Sequence, residues 1–125
     1  MTIKYPLETE EQSSFVSWFK REYPQWEIRA VPNGTHLAGD TNQRGRQMKK
    51  LIKEGLSPGT PDIEILFDSG KTLQIEFKRQ KNSDLSPNQI KAKKRLESLG
   101  HTVLVAYGCV DGVDKFKQYL ISKGI

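Results

Sequence analysis

Between Gly55 and Lys78 the chain reads GLSPGTPDIEILFDSGKTLQIEFK, and two runs within it alternate apolar and polar residues in steps of two. Ile63, Ile65 and Phe67 in the first run and Leu73, Ile75 and Phe77 in the second share one side, because successive side chains of a strand point to opposite faces. Asp62, Glu64, Gln74, Glu76 and Lys78 share the other. The runs, Asp62 to Phe67 and Thr72 to Lys78, are joined by the turn formers Asp68-Ser69-Gly70, so the stretch predicts a β-hairpin. With Ser69 at the centre of the turn, residues whose numbers sum to 138 face each other: Asp62 opposite Glu76, Glu64 opposite Gln74, Ile63 opposite Ile75.

The rest of the pattern predicts helices and two further strands. From about Thr9 to Glu22, Phe15, Val16, Trp18 and Phe19 form an apolar stripe, Thr9 and Gln12 stand at capping-box spacing, and Pro24 closes the helix. Carried back by helical steps, the stripe brings Gln12, Glu11 and Glu8 to the edge of the core-facing side and leaves Glu10 outside. Gln25 to Val31 alternates Trp26, Ile28 and Ala30 with Glu27, Arg29 and Val31, a strand closed by Pro32-Asn33-Gly34. A second helix is expected from about Thr41 to Glu54, with Met48, Leu51 and Ile52 as apolar contacts and Gly55 as its stop. Ser86-Pro87-Asn88-Gln89 supplies a serine cap, a proline at the first helical position and a glutamine at the third, a strong start for a helix that runs to Leu99. Thr102 to Tyr107 is almost continuously apolar, like a strand covered on both faces, and Val113, Phe116, Tyr119 and Leu120 mark a last helix. This order predicts an α/β sandwich with a mixed sheet, in which the strand after the Ser86 helix returns parallel to the Glu76 strand by a right-handed crossover.

At 125 residues the chain fits one domain, expected to span residues 1–125. Twenty Lys and Arg against 15 Asp and Glu give a charge of +5, which suits a polyanionic partner without naming one. Arg44, Arg46, Lys49, Lys50 and Lys53 crowd the second helix, and read either as a solvated face or as a surface that tracks phosphates. Cys109 has no disulfide partner in the chain, and it shows no zinc-site spacing with His36 or His101, so a reducing, cytoplasmic setting is expected. No apolar run reaches membrane-spanning length and no signal-peptide block opens the chain, so no membrane partner is expected.

The acidic face of the hairpin carries the chemistry. Carboxylates directly opposed across antiparallel strands, with Cβ atoms roughly 5 Å apart, repel unless a cation joins them. A hard divalent ion fits, since Mg²⁺ takes one or two carboxylates and completes its shell with water and phosphate oxygens. Lys78 adds a mobile positive charge beside it, completing the parts needed to activate water against a phosphodiester.

Pro61-Asp62 followed by Glu76-Phe77-Lys78 resembles the PD-(D/E)XK nuclease signature. Glu11-Gln12, Val31-Pro32-Asn33-Gly34, Lys53-Glu54-Gly55, Gly59-Thr60 and Ser86-Pro87-Asn88-Gln89 narrow the resemblance to its VRR-NUC (virus-type replication-repair nuclease) branch, over nearly the whole chain. The resemblance implies a restriction-endonuclease-like α/β/α core. It implies a DNA endonuclease in which Asp62, Glu76 and the Phe77 carbonyl hold Mg²⁺ or Mn²⁺, Glu11 supports the ion or its water, and Lys78 helps activate the nucleophile. By its residues alone Glu11 reads instead as a solvated acid that stabilises a helix N-terminus, and Glu8 is the other acid on that edge. Gln89 is the further catalytic candidate, although its helix start explains it structurally as well. DNA contacts are expected from Asn33, Arg44, Arg46, Lys49, Lys50, Lys53, Arg79, Lys81 and Ser86. Stand-alone members of the branch imply a phage or bacterial protein, a homodimer, and branched DNA such as four-way junctions as substrate. The rival readings are a binding module of the same fold that does not cleave, and a nuclease acting on flaps, single strands or RNA.

Overall fold

Helix α1 (Glu8–Glu22) leads into strand β1 (Glu27–Ala30), helix α2 (Thr41–Lys53), the hairpin of β2 (Ile63–Leu66) and β3 (Thr72–Lys78), helix α3 (Pro87–Ser98), strand β4 (Thr102–Tyr107) and helix α4 (Cys109–Ser122). The computed structural model describes residues 4–32, 37–80 and 83–125. The strands form one sheet in the order β1-β2-β3-β4, antiparallel through β3 and parallel between β3 and β4. This is the α/β arrangement with a mixed sheet that the element order predicts. The hairpin has the register set by a turn centred on Ser69: Ile63 pairs with Ile75, Glu64 with Gln74 and Ile65 with Leu73. Gly70 closes the turn at φ 81, a conformation that favours glycine.

One face of the sheet builds the core. Ile63, Ile65, Phe67, Leu73, Ile75 and Phe77 are all buried there, each contributing about 1.5–3 kcal/mol through removal from water. Helices α1 and α4 cover this face through rings: Phe15 meets Phe77 at 5.4 Å between centroids, Phe19 meets Phe116 at 5.5 Å, and Phe67 meets Phe116 at 6.5 Å.

Several local expectations are corrected. Helix α1 starts at Glu8, one residue early, after an N-cap Leu7 whose side chain makes no cap; Thr9 lies inside the helix, so the Thr9–Gln12 capping box is not formed. Glu8, Glu10 and Glu11 in the first turn oppose the helix dipole instead. Strand β1 is shorter than its alternation suggested and buries only Ile28, because it lies at the sheet edge; Trp26, just before it, stacks on Tyr23 at 5.4 Å. Helix α2 is set by its ends. A capping box of Asp40 and Gln43 starts it, and Gly55 at φ 114 stops it, with Leu56 N–H donating to the Leu51 carbonyl at 2.8 Å. Among the described residues none in α2 is buried, and Ile52 is 44% exposed, so the packing expected of Met48, Leu51 and Ile52 is only partial.

Strand β4 is the opposite edge of the sheet, packed against both α3 and α4, with Leu104 and Val105 half-buried. Two α4 side chains occupy part of that edge. Lys115 Nζ donates to the Val105 carbonyl at 2.6 Å, Tyr107 N–H donates to Asp111 Oδ2 at 2.9 Å, and Lys115 and Asp111 pair at 3.0 Å. Among the described residues no helix is long and apolar enough to cross a membrane.

Candidate active site

Because β2 begins at Ile63, the Phe77 amide lies beyond the last strand partner and donates instead to Asp62 Oδ2 at 2.8 Å. The Asp62 carbonyl is fixed from the other side by Val31 N–H at 2.9 Å. Continued by one pair, the hairpin register sets Asp62 against Glu76. Phe77 turns its ring into the aromatic core, which sends its neighbours Glu76 and Lys78 to the opposite face. Glu76 is only 4% exposed. Its Oε1 accepts from Gln89 Nε2. Its Oε2 is buried without a hydrogen-bond partner among the described residues, an arrangement that typically costs about 1–3 kcal/mol.

The electrostatics reflect the same crowding. Burial, then the adjacent Asp62 charge, pushes Glu76 up to about 8, against a lowering pull from Lys78. Burial also raises Asp62, although the Phe77 amide and Lys78 oppose it. A cation would reverse this balance. The residues fit one: two opposed carboxylates, an orphaned buried oxygen and an all-oxygen donor set suit a hard divalent ion. Among the described residues no three His, Cys, Asp or Glu side chains cluster closely enough to hold a metal by themselves. Asp62 and Glu76 thus offer the partial protein shell that Mg²⁺ commonly accepts.

Gln89 and Ser86 are locked together. Ser86 Oγ accepts from Gln89 N–H at 3.2 Å, while Gln89 Oε1 accepts from Ser86 N–H at 2.8 Å. The capping box fixes the Gln89 carboxamide with its oxygen toward the helix start and its NH₂ toward Glu76, so the structural and site roles weighed for it coexist. Ser86 touches neither carboxylate in this network and acts through Gln89. Gly59, at φ 79, brings the loop before Pro61 against α3; a Cβ there would overlap the Asn88 backbone.

The structure brings Asp62, Glu76, Lys78 and Gln89 together, while Glu11 bonds Gln80, two residues beyond Lys78. Glu11 is 7% exposed, on the core side as the helical stripe implied, while Glu8 is half-buried and Glu10 exposed. The Glu11 carboxylate accepts from Gln80 Nε2 at 2.8 Å, beside Gly108, where a Cβ would overlap it. Burial, then the Glu11 charge, pushes the Cys109 thiol up. Gln80 and Gly108 escaped the sequence reading; the period-two series Glu76, Lys78, Gln80 was the one available signal. Arg79 donates to the carbonyls of Tyr5 at 2.7 Å and Pro6 at 3.2 Å, tying the segment before α1 to the end of β3. Arg44, Arg46, Lys49, Lys50 and Lys53 are exposed on α2 or only partly covered, without a carboxylate partner among the described residues. Asn33, His36 and Lys81 lie outside the described residues.

A solved structure described as a VRR_NUC domain protein matches 94% of this chain and 91% of its own, with a TM-score of 0.71 and 23% identity. The chain has the VRR_NUC fold. A second structure, described as a VRR_NUC domain, matches 89% of this chain and 94% of its own, with a TM-score of 0.60 and 18% identity. No family model matches the chain. Among curated proteins, a serine–tRNA ligase from Thermosynechococcus vestitus is 35% identical over 69 residues, which is 55% of this chain and 15% of the ligase. The chain thus spans a small part of that protein's length, and the ligase's activity does not transfer to it. Within the VRR_NUC fold, the acidic pair lies where β2 begins and β3 ends, with the start of α3 against it.

Proposed function

We propose that this chain is a metal-dependent DNA endonuclease of the VRR-NUC type, one domain over residues 1–125, hydrolysing phosphodiester bonds in branched DNA. The observation that carries the reading is the pairing of half-buried Asp62 with buried Glu76, which has an unpartnered oxygen among the described residues, and with Lys78 beside it. Asp62, Glu76 and the Phe77 carbonyl hold the ion. Bound Mg²⁺ or Mn²⁺ supplies Lewis-acid stabilisation of phosphoryl charge and a more acidic water. Gln89 fixes the Glu76 carboxylate, and Lys78 directs its ammonium to the attacking water and to the charge that develops on the phosphorane. Glu11 supports the ion or its water from α1, with Gln80 holding its carboxylate in place. Arg44, Arg46, Lys49, Lys50 and Lys53 meet phosphates away from the cut, and Arg79 and Ser86 contact DNA beside it; Lys81 and Asn33 are further DNA-contact candidates. A homodimer would present two such sites to paired strands, in the cytoplasm of a bacterial or phage-infected cell.

Purified protein incubated with Mg²⁺ or Mn²⁺ and a panel of duplex, flap, single-stranded and four-way DNA tests the reading, with Asp62→Ala and Glu76→Ala as inactive controls. Cleavage at the wild-type rate by Glu76→Ala would remove the acidic pair from the chemistry. Binding of branched DNA without any cleavage would favour the non-cleaving module.

A further inference from the structure

Along the free edge of β4, between α3 and α4, runs a cleft of about 590 Å³ bordered by Lys93, Lys115 and Lys123, with Val103, Val105 and Tyr119 in its wall. At the foot of the sheet a second cavity of about 330 Å³ adjoins it, sharing Thr102, Tyr119 and Lys123 and adding Lys71, Thr72 and His101. At the other end, Lys93, Val103 and Val105 also line the small crevice that contains Glu76 and Gln89. Shared walls set the three in a row from Glu76 along β4, a strand about 17 Å long at 3.3 Å per residue. No carboxylate lines either larger cavity among the described residues; of the rim cations, Lys93 pairs with Glu97 at 3.2 Å and Lys115 with Asp111 at 3.0 Å.

We propose that this tract is a second nucleic-acid site, which takes one unpaired strand leaving the acidic pair. It rests on the nucleic-acid reading above and narrows the substrate to DNA with a single-stranded arm beside the cut. Its floor is one strand edge with a helix on either side, room for one extended polynucleotide chain and not for a duplex. The rim is cationic and the wall apolar, the combination that holds phosphates while bases lie against aromatic and aliphatic surface. Tyr107, outside the cleft lining, pairs with Lys78 across the sheet, is 39% exposed, and carries the ammonium of the cleft residue Lys115 5.2 Å from its ring centroid. An acidic peptide would use the same charges but would dock by strand pairing, and on this edge the Val105 carbonyl and Tyr107 amide are already bonded to Lys115 and Asp111.

The test is anisotropy of a fluorescent oligothymidylate and of a blunt duplex in EDTA over a salt series. It compares wild type, Lys71→Glu with Lys123→Glu, and a control of equal charge, Lys20→Glu with Lys117→Glu. Lys20 is exposed on α1, and Lys117 leans over Trp18 of α1, away from the cleft. The tract variant should bind oligothymidylate about tenfold more weakly, with a salt slope shallower by about 1.4, two phosphate contacts at about 0.7 each for single strands. The control should stay within about twofold of wild type, and duplex affinity should fall by the same amount in both variants. Lys71→Gln with Lys123→Gln, which removes the charges without reversing them, should shift binding in the same direction. Equal loss of oligothymidylate binding in tract and control variants, or none in the tract variant, overturns the proposal. Cleavage of branched DNA by wild type is measured in parallel. A cleaving enzyme whose tract variant binds normally sinks this inference alone, whereas wild type that neither cuts nor binds DNA sinks the proposed function with it.

Discussion

Binding of Mg²⁺ or Mn²⁺ at neutral pH should expel a proton from this protein, because Asp62 and Glu76 cannot both be charged cheaply while buried together. Glu76 is pushed up to about 8 by burial and by Asp62, so near pH 7 it is about nine-tenths protonated, and near pH 9 about one-tenth. A cation that needs both carboxylates ionised must displace that proton. The expected release is therefore about 0.9 proton per ion near pH 7 and about 0.1 near pH 9, with affinity weakening about tenfold for each pH unit below 8. Calorimetric titration in buffers of different ionisation enthalpy reads the number directly. The same shift sets the stability of the metal-free protein. The folded-state value lies above the ordinary 4.5, so the native state binds the extra proton and Glu76 contributes stability that is complete below about 4.5 and lost as pH rises through about 8. Melts without metal should fall across that window, and saturating Mg²⁺ should restore the loss at its alkaline end. A release below about 0.3 proton near pH 7, or one equal at the two pH values, would show that Glu76 is not held protonated in the metal-free protein; unchanged metal affinity in Glu76→Ala would show that the ion does not sit on this pair.

Three further outcomes follow from the same geometry. Lys78→Ala should keep metal affinity within about twofold but lose turnover by at least about a hundredfold, since its charge acts on the transition state; metal titration and cleavage rates separate the two effects. Ser86→Ala should lower stability by about 1 kcal/mol through loss of the cap and also slow cleavage by loosening Gln89; an unchanged melt would remove the cap assignment. Lys50→Ala with Lys53→Ala should weaken duplex binding and flatten its salt slope by about 1.8, two contacts at about 0.9 each, leaving metal titration unchanged; an unaltered slope would turn that face of α2 toward water alone.

The hairpin was legible because two independent signals agreed in it. Period two fixed which face each residue takes, and Asp68-Ser69-Gly70 fixed the register, so the opposition of Asp62 and Glu76 followed from counting. The start of α3 was equally legible, since Ser86, Pro87 and Gln89 each meet a local requirement of a helix N-terminus. What failed depended on contacts distant in the chain or on choices between neighbouring residues. Thr9 and Gln12 had the spacing of a capping box, but the helix started a residue earlier. Ile52 completed an apolar stripe, yet the rest of the fold supplies no surface to bury it. The grip of Gln80 on Glu11 joins residues 69 positions apart, with only the period-two step from Lys78 to hint at it, and Gly108 matters because of what crowds it.

The ion pair laid along β4 also bears on how copies of this chain can meet. A sheet with an open edge can keep growing by recruiting strands from other molecules, the route to fibres and swapped assemblies. Here Asp111 and Lys115 answer the Tyr107 amide and the Val105 carbonyl from within the chain, and the far edge is the four-residue β1, whose exposed Arg29 reaches across to Glu64. Sheet extension is thus obstructed along β4, and β1 offers only a short edge. Two copies that associate would therefore meet through helical surface rather than by pairing along β4.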